Sequence, residues 1–270
     1  MRNSLAVIGV GNMAKAIING ILREESQSNI SCISLFDVNR EQYSSMLSDV
    51  ISETKSIDEA IESCDTVLIS VKPQNYPEVL DSIKKANRYK DKLYISIGAG
   101  ISTDFVKASL GDVSVIRALP NLPMVIGKGV TAICKNENVA KEDMEFVQGV
   151  FMSSGSIMMI SEDEMNRIIG VTSSSPAYVF KFIAAICEGA KAQGICKDTL
   201  LDVICDMVIG SAEMLKNSDL TPDELISRVA SKGGTTERAL ITLDSMDFDN
   251  AIFKAMKACT DRADELGNAK

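Results

Sequence analysis

LAVIGVGNMAKAI, residues 5–17, is the stretch whose reading decides the fold. A short apolar run turns through Gly9, Gly11 and Ala14 straight into a helical pattern, close to the start of the chain. A dinucleotide-binding βαβ unit needs small residues at those places. Gly9 allows the tight turn out of the strand, Gly11 lets backbone approach a pyrophosphate, and Ala14 lets helix pack closely on sheet. The helix that follows opens with Asn12 and Met13 and offers unpaired N–H groups to the anion. Gly-x-Gly-x-x-Ala also occurs in ordinary βα turns, so its weight rests on the strand before it and the helix after it.

Outward from there, apolar, β-branched runs recur at 4–8, 30–36, 66–71, 93–97, 113–118, 129–133 and 155–160, separated by amphipathic or loop segments. A doubly wound, largely buried sheet requires that alternation. After Ser161 the β signal stops, and helical patterns with broad apolar faces follow at 162–171, 177–192, 197–216, 222–230, 235–244 and 249–266. The pattern predicts an α/β, Rossmann-type domain over 1–161 and an all-helical domain over 162–270. The segment TLLDVICDMVIGSAEML, 199–215, is apolar around more than one face, which suits a helix packed between neighbours or between subunits, or else a buried core helix.

Composition narrows the function classes. With 270 residues, 46% of them hydrophobic, the chain can bury a sizeable core. A net charge of −9 argues against nucleic acid as partner, because phosphate backbones are held by clustered Lys and Arg. No apolar run reaches about 18 residues, and no basic flank with a long apolar segment opens the chain. The expectations are no membrane span, no secretory signal and a cytoplasmic protein. Seven cysteines lie scattered through apolar stretches without a Cys-x-x-Cys pair, which points to reduced, buried thiols. Histidine is absent, which excludes imidazole bases, Ser-His-Asp hydrolysis and histidine-bound metal. No metal site is expected.

The second strand ends at Asp37, followed by Asn39 and Arg40, and two readings of the adenosine ribose compete there. A carboxylate at that place hydrogen-bonds a free ribose diol and favours NAD, whereas an Arg beside it pairs with the extra phosphate of NADP. Were Asp37 to face that phosphate at about 5 Å in an effective dielectric near 20, repulsion would cost roughly 3 kcal/mol. A third reading makes Asp37 the N-cap of a helix over 41–47. In TVLISVKPQNY (66–76), Val71, Lys72 and Pro73 stand at the end of a strand, where an open sheet receives its ligand. In YISIGAGIS (94–102), Gly98 and Ala99 would leave room for a nicotinamide ring, or simply make a turn.

LISRVASKGGTTERALITL (225–243) is the other unusual stretch. One helix stops near Ala230, Ser231 to Gly234 form a flexible turn, and Thr235 begins the next helix. The turn makes a nest of backbone N–H groups beside a helix N-terminus, with the hydroxyls of Ser231, Thr235 and Thr236 at hand, and such a nest holds small anions. A carboxylate is the expected ligand; a plain Gly-Gly linker with Thr235 as N-cap is the alternative.

These pieces together resemble the pyrroline-5-carboxylate reductase family. The resemblance takes in IGVGNMAKAIING at 8–20, SVKPQ at 70–74, SIGAGIS at 96–102, RALPNLPMVIGKGVTA at 117–132, SSSPAYVFKFI at 173–183 and ASKGGTTERAL at 230–240. It implies reduction of a carboxylated cyclic imine by hydride from NADPH, with NADH as an alternative, in a site formed by the cofactor domain and helices of a partner subunit. It also implies a homo-oligomer built from dimers. By the same resemblance Gly233, Gly234 and Thr235 would hold the substrate carboxylate, Thr236 would be catalytic by placing its hydroxyl at the imine nitrogen, and Ser231 would complete the pocket. The chain departs from the family at Ser173 and Ser175, where glycine is usual, at Lys232 in place of proline and at Leu122 in place of threonine. Those departures bear on substrate scope.

Two rivals remain. A β-hydroxyacid dehydrogenase resembles this layout and uses a helix lysine as acid, which draws notice to Lys181, but its spacing would need a lysine where Val179 stands. A non-catalytic, nucleotide-binding paralogue is opposed by the intact Gly-Gly-Thr-Thr.

Overall fold

The computed structural model describes residues 2–23 and 29–268. Its sheet has eight strands in the order β3-β2-β1-β4-β5-β6-β7-β8. They are β1 (Ser4–Ile8), β2 (Cys32–Phe36), β3 (Ile51–Glu53), β4 (Thr66–Ile69), β5 (Leu93–Ser96), β6 (Ser114–Leu119), β7 (Gly129–Lys135) and β8 (Gly155–Met159). All neighbours pair in parallel except β6 and β7. The order from β3 to β6 is that of dinucleotide-binding sheets, and it reverses direction between β1 and β4.

Strand alternation sorts the core into two layers. Leu5 and Val7 of β1 face α1 (Asn12–Ile21), while Ala6 and Ile8 face the opposite layer, in which α2 (Ile57–Ser63), α3 (Tyr76–Ile83) and α4 (Thr103–Leu110) bury Ile61, Leu80 and Val106. On the α1 side, α5 (Lys141–Met152) adds Val147, Val150 and Phe151. β3 has no counterpart among the runs read from the sequence: at three residues, two of them exposed, Ile-Ser-Glu is too short and too polar to show a period.

The contacts divide the described chain into two compact units, Met1–Ser174 with Lys257–Lys270, and Ser175–Met256. The division falls at Ser174 and not at the 161/162 change from strand to helix pattern, for a packing reason. Met165 of α6 (Met165–Ile168) and Ile169 of the π turn after it are buried against Leu119 and Ala132 of the sheet, as is Ala263 near the chain end. Change of periodicity and change of core partner are different events.

The second unit holds α7 (Ser175–Ala192), α8 (Leu200–Lys216), α9 (Pro222–Val229), α10 (Thr235–Ser245) and the first part of α11 (Phe248–Asn268). A capping box between Thr221 and Glu224 starts α9, with Pro222 in its first turn. Of α8 only Ile204 is buried, while Leu201, Val203, Met207, Ile209 and Met214 are exposed. One helical stretch, Arg167–Ala192, is long and apolar enough to cross a membrane by length and composition, although Lys181 and Glu188 interrupt its apolar run.

Candidate active site

A cleft of about 660 Å³ opens where the strand order reverses, at the carboxyl ends of β1, β2 and β4. Among the sequence-predicted residues it is lined by Gly9, Gly11, Asn12, Asp37, Asn39, Val71 and Lys72. Gly9 has φ of +88°, and a Cβ on it would lie 2.7 Å from Val71 Cγ1 and 2.8 Å from the Ser70 carbonyl oxygen. Gly11 contrasts with it, for a Cβ there meets nothing within 4 Å. Gly11 is also the N-cap of α1, and no side chain takes up the N–H groups of the first turn. A glycine facing open space beside an uncapped helix start fits a pyrophosphate.

Asp37 lines the cleft with both carboxylate oxygens already engaged. Its carboxylate accepts the Val10 N–H at 2.7 Å and the Asn39 N–H at 2.8 Å, so it ties the glycine turn to the end of β2. The short 3-10 turn that follows is capped by Asn39, which accepts from the Glu41 N–H, and two such turns, Arg40–Gln42 and Ser44–Met46, replace the expected helix over 41–47. Arg40 does not line the cleft; its guanidinium donates to both carboxylate oxygens of Glu53, at 2.7 and 2.9 Å. The pairing holds the Glu53 carboxyl below its usual range and Arg40 above its own.

Met13, Pro73, Gly98 and Ala99 also stand off the cleft lining. Met13, in the first turn of α1, packs against the core, and Pro73 opens a 3-10 turn that leads into Tyr76. Tyr76 is a residue the sequence reading passed over. Buried, it bridges the ends of β4 and β5: its hydroxyl donates to the Ile69 carbonyl at 2.9 Å, accepts the Gly98 N–H at 3.0 Å and lies 3.0 Å from Ser96 Oγ. Burial pushes its phenol up to about 12. A Cβ on Gly98 would lie 2.7 Å from the Tyr76 ring, so the small residue there makes room for Tyr76.

The predicted anion nest lies in the second unit. Gly233 has φ of +75°, and Gly234 is the N-cap of α10 without a capping side chain. Thr235 is therefore not the cap. Two nest N–H groups are already engaged, Gly233 with Glu237 Oε2 at 2.7 Å and Gly234 with the Ser231 carbonyl at 2.9 Å. What remains open is the first turn of α10, begun by Thr235 and Thr236, with Ser231 exposed on the turn before it.

A second cleft, of about 680 Å³, lies around Arg2, Asp65 and Asp143. It sits at the amino ends of the strands, where parallel sheets do not take ligands, and Arg2 is engaged with Asp143 and the Asp65 carbonyl. Among the described residues no group of His, Cys, Asp and Glu is arranged to hold a metal.

The pyrroline-5-carboxylate reductase of Escherichia coli K12 is 31% identical over 271 residues, covering 100% of both chains. That of Haemophilus influenzae is 32% identical, covering 97% of each. The chain belongs to the pyrroline-5-carboxylate reductase family. The family's dimerisation model matches residues 162–266, and a model of coenzyme F420-dependent NADP oxidoreductases matches residues 4–100. Two solved members of the family superpose with a TM-score of 0.87: the Plasmodium falciparum enzyme with NADP bound, 26% identical over 98% of each chain, and that of Streptococcus pyogenes, 28% identical over 97% of this chain and 98% of the other. Of the departures from the family pattern, Ser173 lies in the π turn with its hydroxyl buried and unpartnered among the described residues, whereas Leu122 and Lys232 are exposed.

Proposed function

We propose that the protein reduces 1-pyrroline-5-carboxylate to L-proline with NADPH as hydride donor and NADH as an alternative. The observation that carries this is the uncapped helix start at Gly11, open to a cleft at the sheet's reversal point, in a chain similar along its whole length to named reductases. When bound, the nicotinamide supplies a hydride to the imine carbon, and solvent supplies the proton on nitrogen. Gly9, Gly11, Asn12 and Met13 would hold the pyrophosphate through the turn and helix start, while Asn39 and Arg40 would face the adenosine ribose beside the turn that Asp37 holds in place. Val71, Lys72 and Pro73 would border the dinucleotide, with Gly98 and Ala99 beside the nicotinamide.

A cyclic imine is protonated near neutral pH, so the protein has to orient it more than to acidify it. A chain without histidine can do so. Thr236 is assigned the hydrogen bond at the imine nitrogen, and the open N–H groups of Thr235 and Thr236, with the Ser231 hydroxyl, the substrate carboxylate. Engaging Gly233 as well requires the carboxylate to displace Glu237 from its N–H. The exposed apolar side chains of α8, within the stretch matched by the dimerisation model, support a homo-oligomer built from dimers, with the exposed apolar surface of Arg167–Ala192 covered by a second copy and not by lipid.

The test is initial-rate oxidation of NADPH, and separately of NADH, by the purified chain with racemic pyrroline-5-carboxylate, with proline identified as product. Proline formation is the expected result. Turnover of a 2-hydroxyacid without imine reduction would replace this reading with the dehydrogenase one, and turnover of neither would replace it with a binding paralogue.

A further inference from the structure

The cleft at the sheet's reversal point is poor in cations: among the described residues that line it, Lys72 stands against Asp37 and Glu78. The residue best placed to add a cation at the adenosine end is Arg40, one position past the cleft-lining Asn39. Arg40 is not free. Glu53 ends β3, paired in register with Leu35 of β2, and presents both oxygens to the guanidinium at 2.7 and 2.9 Å. Glu53 takes the Nε–Nη2 edge of the guanidinium and balances its charge, so a phosphate that reaches the remaining Nη1–Nη2 edge meets a carboxylate beside its anchor.

We propose that Glu53 acts as an internal competitor for a 2′-phosphate at Arg40 and thereby sets how strongly the protein prefers NADPH over NADH. The inference rests on the dinucleotide reading of the cleft. Its physical content is competition for one positive charge: a dianionic phosphate arriving at the end of β2 shares Arg40 with Glu53 or displaces it, and in either case stands beside that carboxylate. Both partners are exposed, with side-chain exposures of 65% and 37%, so the pair opens without unfolding anything. NADH, lacking the phosphate, has no stake in that competition. Exposed ion pairs weigh up to about fivefold in an equilibrium, and the carboxylate's own repulsion of a phosphate adds to that.

The experiment is calorimetric binding of NADP⁺, NAD⁺, 2′-AMP and 5′-AMP to the full chain and to Glu53→Gln, Arg40→Ala and the double variant. Glu53→Gln is expected to tighten NADP⁺ and 2′-AMP by about five- to tenfold and to leave NAD⁺ and 5′-AMP within twofold. Arg40→Ala is expected to weaken only the 2′-phosphorylated ligands, and the gain from Glu53→Gln is expected to shrink in the double variant to the part that comes from direct repulsion between carboxylate and phosphate. An unchanged NADP⁺ affinity in Glu53→Gln, or equal changes for both dinucleotides, would overturn the proposal while leaving the cleft assignment standing. Failure of the wild-type chain to bind either dinucleotide would overturn both. Thermal unfolding of each variant identifies any effect that comes from stability alone.

Discussion

The Asp37 carboxylate and the Val10 backbone N–H are joined at 2.7 Å, a bond that fastens the glycine turn after β1 to the end of β2. A second bond, from the Asn39 N–H to the other oxygen, fixes the carboxylate's orientation. Asp37 is in this arrangement a positioning residue. Its ordinary assignment, reading a ribose diol, gives it a different signature under mutation.

Asp37→Ala leaves two N–H groups without an acceptor and loosens the turn on which both dinucleotides depend. Bonds to charged groups are each worth about 1.5–3 kcal/mol, so affinity for NADP⁺ and for NAD⁺ is expected to fall together by about tenfold. Equilibrium binding of the two ligands decides the matter. A loss confined to NAD⁺ would return Asp37 to the ribose, and a gain for NADP⁺ would mean that its charge faces the phosphate.

The two glycines of the turn are expected to fail in different ways. Gly9→Ala forces a Cβ against Val71 and the Ser70 carbonyl at φ of +88°, and should destabilise the protein by about 1–3 kcal/mol. Gly11→Ala meets open space and should leave the melting temperature nearly unchanged, yet weaken dinucleotide binding by about tenfold or more because the methyl group stands where the pyrophosphate approaches. Paired melting and binding curves check both. Equal binding losses without a difference in melting would remove Gly11 from the anion site.

Thr236→Val keeps the shape of the side chain and removes its hydroxyl. If that hydroxyl meets the imine nitrogen as hydride arrives, turnover should drop by about tenfold or more with cofactor affinity unaltered. Thr235→Val, which leaves the backbone N–H in place, is expected to act more on the Michaelis constant for substrate. Unchanged turnover in Thr236→Val would strip it of a catalytic role.

What sequence reading reached and what it missed divide along range. The strand, turn and helix at 5–17 and the helix start at Thr235 are local, written in apolar periodicity and in glycines, and were legible. The pairing of Arg40 with Glu53 depends on a three-residue strand too short to announce itself, and the anchoring of Gly98 by Tyr76 depends on two strands meeting. Arg117 is the instructive case, because a charged residue inside the apolar run SVIRAL is a visible anomaly. It signals a buried partner without naming it. The partners, Glu162 and Asn166, lie in the segment just past the strand-to-helix change, which is why that segment belongs with the sheet.

That buried arrangement also sets how the protein meets acid. Arg117, 2% exposed, donates to Glu162 Oε1 at 2.5 Å and to Asn166 Oδ1 at 2.6 Å, while Glu162 Oε2 accepts the Thr103 hydroxyl at 2.7 Å. Burial works to raise the Glu162 carboxyl, but the bonds from Thr103 and Arg117 outweigh it, and the group lies below its ordinary value of 4.5. A carboxyl lowered by folding stabilises the protein above its unfolded value, and that contribution is lost as pH falls through the folded one. Urea midpoints measured from pH 7 down to pH 3 should therefore fall more steeply below about 4.5 in the wild-type chain than in Glu162→Gln. At pH 7 the variant starts lower, by about 2 kcal/mol, because Arg117 is left buried without its counter-charge and Glu162, 29% exposed, is not fully desolvated. The two curves should converge toward acid, since protonated Glu162 and glutamine present similar groups to Arg117. Parallel curves over the whole range would show that the ion pair contributes nothing that depends on its charge.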